Sequence, residues 1–124
     1  MILIFGGAYN GKLEFVKEKF HKDNGEIFFC KDRNLNYDKK VICGLHIFTR
    51  ACVANKINSL DILKNNINYL KNKIIICDEV NSGIVPMGRE DRIWREETGR
   101  VMQFLSQNSD SVYRIFFGIE NKLK

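Results

Sequence analysis

A short apolar run that opens straight into a turn bracketed by glycines leaves few folds available to a chain. Ile2, Leu3, Ile4 and Phe5 form such a run, and Gly6-Gly7-Ala8-Tyr9-Asn10-Gly11-Lys12-Leu13 follows it. The phosphate-binding loop pattern is G-x-x-x-x-G-K-[ST] between a buried strand and a helix. Every fixed position is met except the last, where Leu13 stands for the hydroxyl. Glycines let backbone N–H groups turn toward phosphate oxygens, and the helix N-terminus behind them favours negative charge. Gly6, Gly7, Ala8, Tyr9, Asn10, Gly11 and Lys12 are therefore the expected nucleotide-binding residues, with Lys12 as a point charge for the terminal phosphates. Leucine offers no oxygen to Mg²⁺. The loop predicts a nucleotide holder and leaves open whether the nucleotide is turned over.

Beyond the loop, strand-like and helix-like segments alternate. Leu13, Val16 and Phe20 make one apolar stripe, which gives Leu13 a second reading as an anchor of that stripe. Strands are expected at residues 26–30, 41–45, 73–77 and 112–117. Helices are expected near residues 48–55, from a Ser59 cap through Leu60, Leu63, Ile67 and Leu70, and over residues 89–106. Residues 31–40 read as a polar loop. Apolar strands alternating with helices predict an α/β, three-layer sandwich with a mostly parallel sheet, of P-loop NTPase type. Ligands on such sheets bind beyond the carboxyl ends of the strands. At 124 residues the chain is expected to be one domain, residues 1–124.

Composition narrows the partners. A net charge of +5 spread along the chain suits an anionic small ligand better than a nucleic acid, which asks for a basic face with aromatic platforms. No apolar segment reaches membrane-spanning length and the N-terminus carries no basic leader, so a cytoplasmic location is expected. Cys30, Cys43, Cys52 and Cys77 form no C-x-x-C pair and fall in apolar segments, which predicts reduced, buried thiols. No residue is singled out as a metal ligand.

The C-terminal half carries a more specific pattern. Residues 78–103 read DEVNSGIVPMGREDRIWREETGRVMQ. This resembles the adenosylcobinamide kinase / adenosylcobinamide-phosphate guanylyltransferase family of cobalamin biosynthesis, whose pattern is close to NEVGxGIVPxxxxxRxFRDxxGxxNQ. Glu79, Val80, Gly83, Ile84, Val85, Pro86, Arg92, Arg95, Gly99 and Gln103 match. Trp94 stands for the aromatic, Glu96 for the acid and Met102 for the asparagine. The ending from Gly118, GIENKLK, resembles the family's terminal GIxxKLK, and the opening resembles its ILVTGGxxSGKS start.

The resemblance implies ATP or GTP as cofactor, with Mg²⁺ as its companion. It implies a nucleotide and a corrinoid such as adenosylcobinamide as partners, and assembly as a homo-oligomer. It implies a role for Lys12 and Glu79 in catalysis and for Arg92 and Arg95 in holding phosphate, where guanidinium grips bidentately. Glu96 is placed to pair with Arg92 or Arg100 at helical spacing.

Three departures bear on activity. Leu13 replaces the metal-binding hydroxyl. The acidic residue that the family carries near Gly44 is absent. The chain is shorter, mainly between Cys30 and Lys40, where the family places the histidine that becomes guanylylated. His21 and His46 are the histidines present, and neither occupies that place. Two readings follow. The kinase half survives and phosphorylates the corrinoid, or the chain is a catalytically inactive paralogue that binds nucleotide or corrinoid as a regulatory or assembly subunit.

Overall fold

The computed structural model describes residues 1–80 and 88–124. The GIVP motif and the turn before it lie outside the described residues. In chain order the elements are β1 (Ile2–Gly6), α1 (Lys12–Lys19), β2 (Ile27–Phe29), β3 (Val41–Cys43) and α2 (Leu45–Ala54). Then come α3 (Ser59–Asn65), α4 (Ile67–Leu70), β4 (Ile74–Asp78), α5 (Arg89–Asn108), β5 (Ser111–Phe116) and β6 (Ile119–Lys122).

The strands form one sheet in the order β2-β3-β4-β1-β5-β6. β1 is central, as its apolar run requires, and it pairs in parallel with β4 and β5. Leu3 lies between Ile75 and Val112, and Ile4 between Ile76 and Tyr113. Alternate residues point to opposite faces. Leu3, Ile42, Ile75, Cys77 and Val112 pack with Leu45, Phe48, Cys52, Leu63, Leu70, Val101 and Leu105 from α2 to α5. Ile4, Val41, Ile74, Ile76, Tyr113 and Ile115 pack with Val16 of α1 on the other face. Helices therefore cover both faces, and the expected three-layer α/β sandwich with a mostly parallel sheet is what forms.

Several boundaries differ from the sequence reading. β3 stops at Cys43, because Gly44 adopts φ +86 and caps α2, which begins at Leu45. The helix expected from Ser59 is capped by Asn58, whose side chain accepts from the Asp61 N–H. It breaks at Asn66, whose amide side chain donates to the Ile62 carbonyl. Asn24 and Gly25 open a short 3-10 turn, so β2 begins only at Ile27. β6 was not expected. It pairs antiparallel with β5 through a two-residue turn at Phe117 and Gly118. No helix among the described residues is long and apolar enough to cross a membrane.

Candidate nucleotide site

The loop between β1 and α1 is shaped by close approach. Gly6 has φ +156, and a Cβ there would lie 2.3 Å from the Ile115 carbonyl oxygen, so only glycine lets β1 end between its two neighbours. The loop then passes through Tyr9, at φ +61, to Gly11, which caps α1. The Phe15 N–H donates to the Gly11 carbonyl and closes the first turn. Among the described residues, the N–H groups of residues 7–11 have no hydrogen-bond acceptor. Free N–H groups ahead of a helix N-terminus form an anion cradle.

Lys12 is the first residue of α1 and is buried. Its ammonium donates to the Gly7 carbonyl at 2.7 Å and pairs with Asp78 Oδ1 at 2.7 Å. A buried ammonium is tolerated only when paired and hydrogen-bonded. Asp78 ends β4, and sheet register sets it beside Gly6 at the start of the loop. Its other carboxylate oxygen faces His46 Nε2 at 3.4 Å, while its backbone N–H donates to His46 Nδ1 at 3.2 Å. That amide makes Nδ1 the acceptor, so the proton of the neutral ring sits on Nε2 and faces the carboxylate. Burial lowers the His46 pKa from its ordinary value. The Asp78 carboxylate opposes the shift and Lys12 adds to it.

A polar network holds His46 from beneath. Thr49 Oγ1 lies 3.0 Å from the His46 carbonyl, 2.8 Å from Thr98 Oγ1 and 3.1 Å from Trp94 Nε1. A hydroxyl has one proton to give. With that proton on the His46 carbonyl, Thr98 must donate to Thr49. Trp94 also donates to the His46 carbonyl at 3.0 Å. The Arg50 guanidinium lies over the Trp94 ring, 4.8 Å from its centroid, and pairs with Asp91. These contacts fix α5 against α2 at the site's edge. They give Trp94 and Thr98 of α5 a task at the site as well as in the packing of the helix.

The remaining sequence-predicted residues fall as follows. Gly6 to Lys12 are brought together with Asp78. Glu79 lies next to the loop, its N–H donating to the Gly6 carbonyl at 2.8 Å. Its carboxylate is gripped by Arg114, with Nε at 3.1 Å and Nη2 at 3.2 Å. Thus the acid facing Lys12 is Asp78, and Glu79 ties β4 to β5. Arg92 is exposed on α5 and Arg95 is half-buried there. Arg100 pairs with Glu97, one residue beyond the Glu96 expected from spacing. Leu13 is half-buried and packs with Val16, Phe15 and Phe20, as an anchor of the α1 stripe.

Gly44 sits in the left-handed region, and a Cβ would meet Ile47 Cδ1 at 3.3 Å, so a carboxylate side chain is strained at that position. All four cysteines are free. Burial pushes the thiol pKa of Cys30 up to about 12 and those of Cys43 and Cys52 up to about 11, and raises that of Cys77 too, which leaves them poor nucleophiles.

Sequence reasoning missed Asp78 as a site residue and the contact between Asp78 and His46. A signal for the first was present: an apolar strand that ends in an acid, in a chain that opens with a phosphate loop. No local signal marks the second, since His46 and Asp78 meet only through the sheet.

No curated protein matches the chain. A family model described as cobinamide kinase / cobinamide phosphate guanyltransferase matches residues 39–123. The match takes in Asp78, His46 and Arg114 and begins after the loop, so the loop and the family are separate observations. With most of its length matched, the chain belongs to the cobinamide kinase / cobinamide phosphate guanyltransferase family.

Proposed function

We propose that the chain binds ATP or GTP by its phosphates in the loop of residues 6–12, and that the kinase half of the family's chemistry is the half these residues can support. The observation that carries this is the Lys12 ammonium, held 2.7 Å from both the Gly7 carbonyl and Asp78, beside backbone N–H groups that have no acceptor among the described residues. Phosphoryl transfer asks a protein mainly for positioning and charge stabilisation. An incoming phosphate exchanges with the Gly7 carbonyl and the carboxylate as partner of Lys12, and the free N–H groups take its oxygens. The acceptor is the hydroxyl of a cobinamide.

Among the described residues, no three metal-binding side chains cluster. Mg²⁺ is usually held by one or two carboxylates with the remaining places filled by phosphates and water. The donor set fits a magnesium that arrives with the nucleotide, with Asp78 as its protein carboxylate. Such an ion supplies neutralisation of phosphate charge. Asp78 is thereby the residue that stands in for the acid missing near Gly44.

The guanylyl half finds no support in the histidines. A nucleophilic imidazole needs a free lone pair. His46 Nδ1 is occupied by the Asp78 N–H and Nε2 carries the proton, so His46 acts as a positioning group for Asp78. His21 lies at the end of α1, exposed.

A second reading, a nucleotide-binding paralogue without turnover, is favoured by Leu13, whose side chain packs against the core. Calorimetric titration with ATP and GTP, with and without Mg²⁺, followed by transfer of labelled γ-phosphate to cobinamide, separates the two. Binding that Lys12→Ala weakens at least tenfold supports the loop reading. Transfer then supports the kinase, and binding without transfer supports the paralogue. No binding of nucleotide to the parent protein overturns both.

A further inference from the structure

Among the described residues, four other than glycine adopt positive φ: Tyr9, His21, Lys56 and Phe117. Two have an ordinary cause. His21 and Lys56 each follow the C-cap of a helix, Phe20 of α1 and Asn55 of α2, where the left-handed conformation ends helices routinely. The other two are aromatic, and both lie at one place. Tyr9 is in the phosphate loop. Phe117 and Gly118, at φ +48 and +76, form the turn between β5 and β6. The Gly118 N–H donates to the Asn10 carbonyl at 2.8 Å, and Gly11 lies so close that a Cβ on it would sit 3.4 Å from Gly118 Cα.

A two-residue hairpin with positive φ at both central positions strongly prefers Asn-Gly or Asp-Gly. A phenylalanine in the first of them is a conformational outlier. Its ring gains no burial in return, since Phe117 is 74% exposed and Phe116 56% exposed. Strained residues persist at ligand sites when the surrounding structure fixes them. Here the surroundings do. Glu120 of β6 pairs with Lys19 of α1 at 3.1 Å, and Arg114 of β5 pairs with Glu79. The two phenylalanine rings stack edge to face with centroids 4.5 Å apart, which sets one against the other. The turn thus presents a fixed aromatic pair at the carboxyl end of β5, next to the strand that leads into the loop.

We propose that Phe117, backed by Phe116, is the platform on which the purine base of a loop-bound nucleotide stacks. The proposal rests on the loop reading above and adds a base subsite to it. A planar purine matches an exposed aromatic face, and stacking tolerates either purine because every base has a π-face.

The test uses Phe117→Asn, which supplies the Asn-Gly pair that the turn prefers and so keeps the hairpin. The probes are ATP, GTP and inorganic tripolyphosphate, titrated into parent and variant with the melting temperature measured alongside. The expected result is a loss of about 5- to 150-fold in affinity for both nucleotides, an unchanged affinity for tripolyphosphate and a melting temperature no lower than the parent's. Nucleotide affinity unchanged in the variant overturns the base subsite and leaves the loop reading standing. An equal loss for nucleotides and tripolyphosphate also overturns it, because the ring then acts on the loop's shape. A parent protein that binds neither kind of probe overturns the loop reading and the subsite together.

Discussion

Asp78 does two opposed things at the phosphate site. It neutralises the buried Lys12 ammonium at 2.7 Å, and it sets a negative charge where phosphates must come. Asp78→Asn separates these. Without magnesium, the variant is expected to bind nucleotide more tightly than the parent, because like-charge repulsion falls and Lys12 is released from its partner. With magnesium, the gain that the ion gives the parent is expected to vanish, because its protein carboxylate is gone. The fold should weaken by about 1–3 kcal/mol, the cost of leaving a buried polar group with a poorer partner. Calorimetry with and without magnesium, with a urea midpoint beside it, reads all three. Magnesium dependence that survives in the variant rules Asp78 out as the carboxylate. The residues of the loop itself were legible in the sequence because a phosphate loop is a local pattern: strand, glycines and lysine stand together within a dozen positions. The role of Asp78 and its contact with His46 were not. An acid at the end of an apolar strand is the one local sign of Asp78, and only the register of β4 against β1 and the cap of α2 at Gly44 bring the two side chains together.

Helix α1 shows how one element serves two demands. Its first turn carries the anion cradle, and its inner face must bury Leu13, Val16 and Phe20 against Ile4, Tyr113 and Ile115. At position 13 the two demands compete, and the apolar one prevails. Leu13→Ser returns the hydroxyl at the expense of a half-buried leucine. About half the value of a fully buried side chain is at stake, roughly 1 kcal/mol. A lower melting temperature is expected, and a variant as stable as the parent would remove Leu13 from the core. The long apolar patterns were read correctly as elements: β1, β4, α1 and α5 all lie where periodicity put them. The misses have physical causes. The stripe of Leu60, Leu63, Ile67 and Leu70 runs on across the break, so periodicity saw one helix where the Asn66 side chain makes two. β6 is exposed at every position, so no alternation marks it, and its turn carries Phe117 where the usual signal is asparagine. The GIVP block, which carried much of the resemblance, adds nothing to the structural account, because it lies outside the described residues.

At the scale of the molecule, the parallel sheet gathers the ends of β1, β3, β4 and β5 on one rim, and His46 sits where three of its layers meet. The imidazole takes the Asp78 amide and faces its carboxylate from β4, and its own carbonyl accepts from Thr49 of α2 and Trp94 of α5. Lys12 of α1 completes the surroundings. This makes the site a reporter of acid stability. Burial holds the folded-state pKa of His46 below its ordinary value of 6.5. In the unfolded chain the ring takes a proton near that value, and in the folded chain it resists. A group whose folded pKa is depressed contributes stability that is complete above the unfolded value and is lost as pH falls toward the folded one. The parent is therefore expected to lose melting temperature as pH falls from about 7 to 5. His46→Gln cannot titrate there, so it should start lower at pH 7, having lost the carboxylate's neighbour, and decline less steeply. The difference between the two curves isolates the imidazole from the carboxylates, which titrate in both proteins. Thermal melts at half-unit steps of pH give that difference directly. Parallel curves would mean that the proton which destabilises the fold is bound elsewhere, and that the contact between His46 and Asp78 does not hold the imidazole neutral at the rim of the sheet.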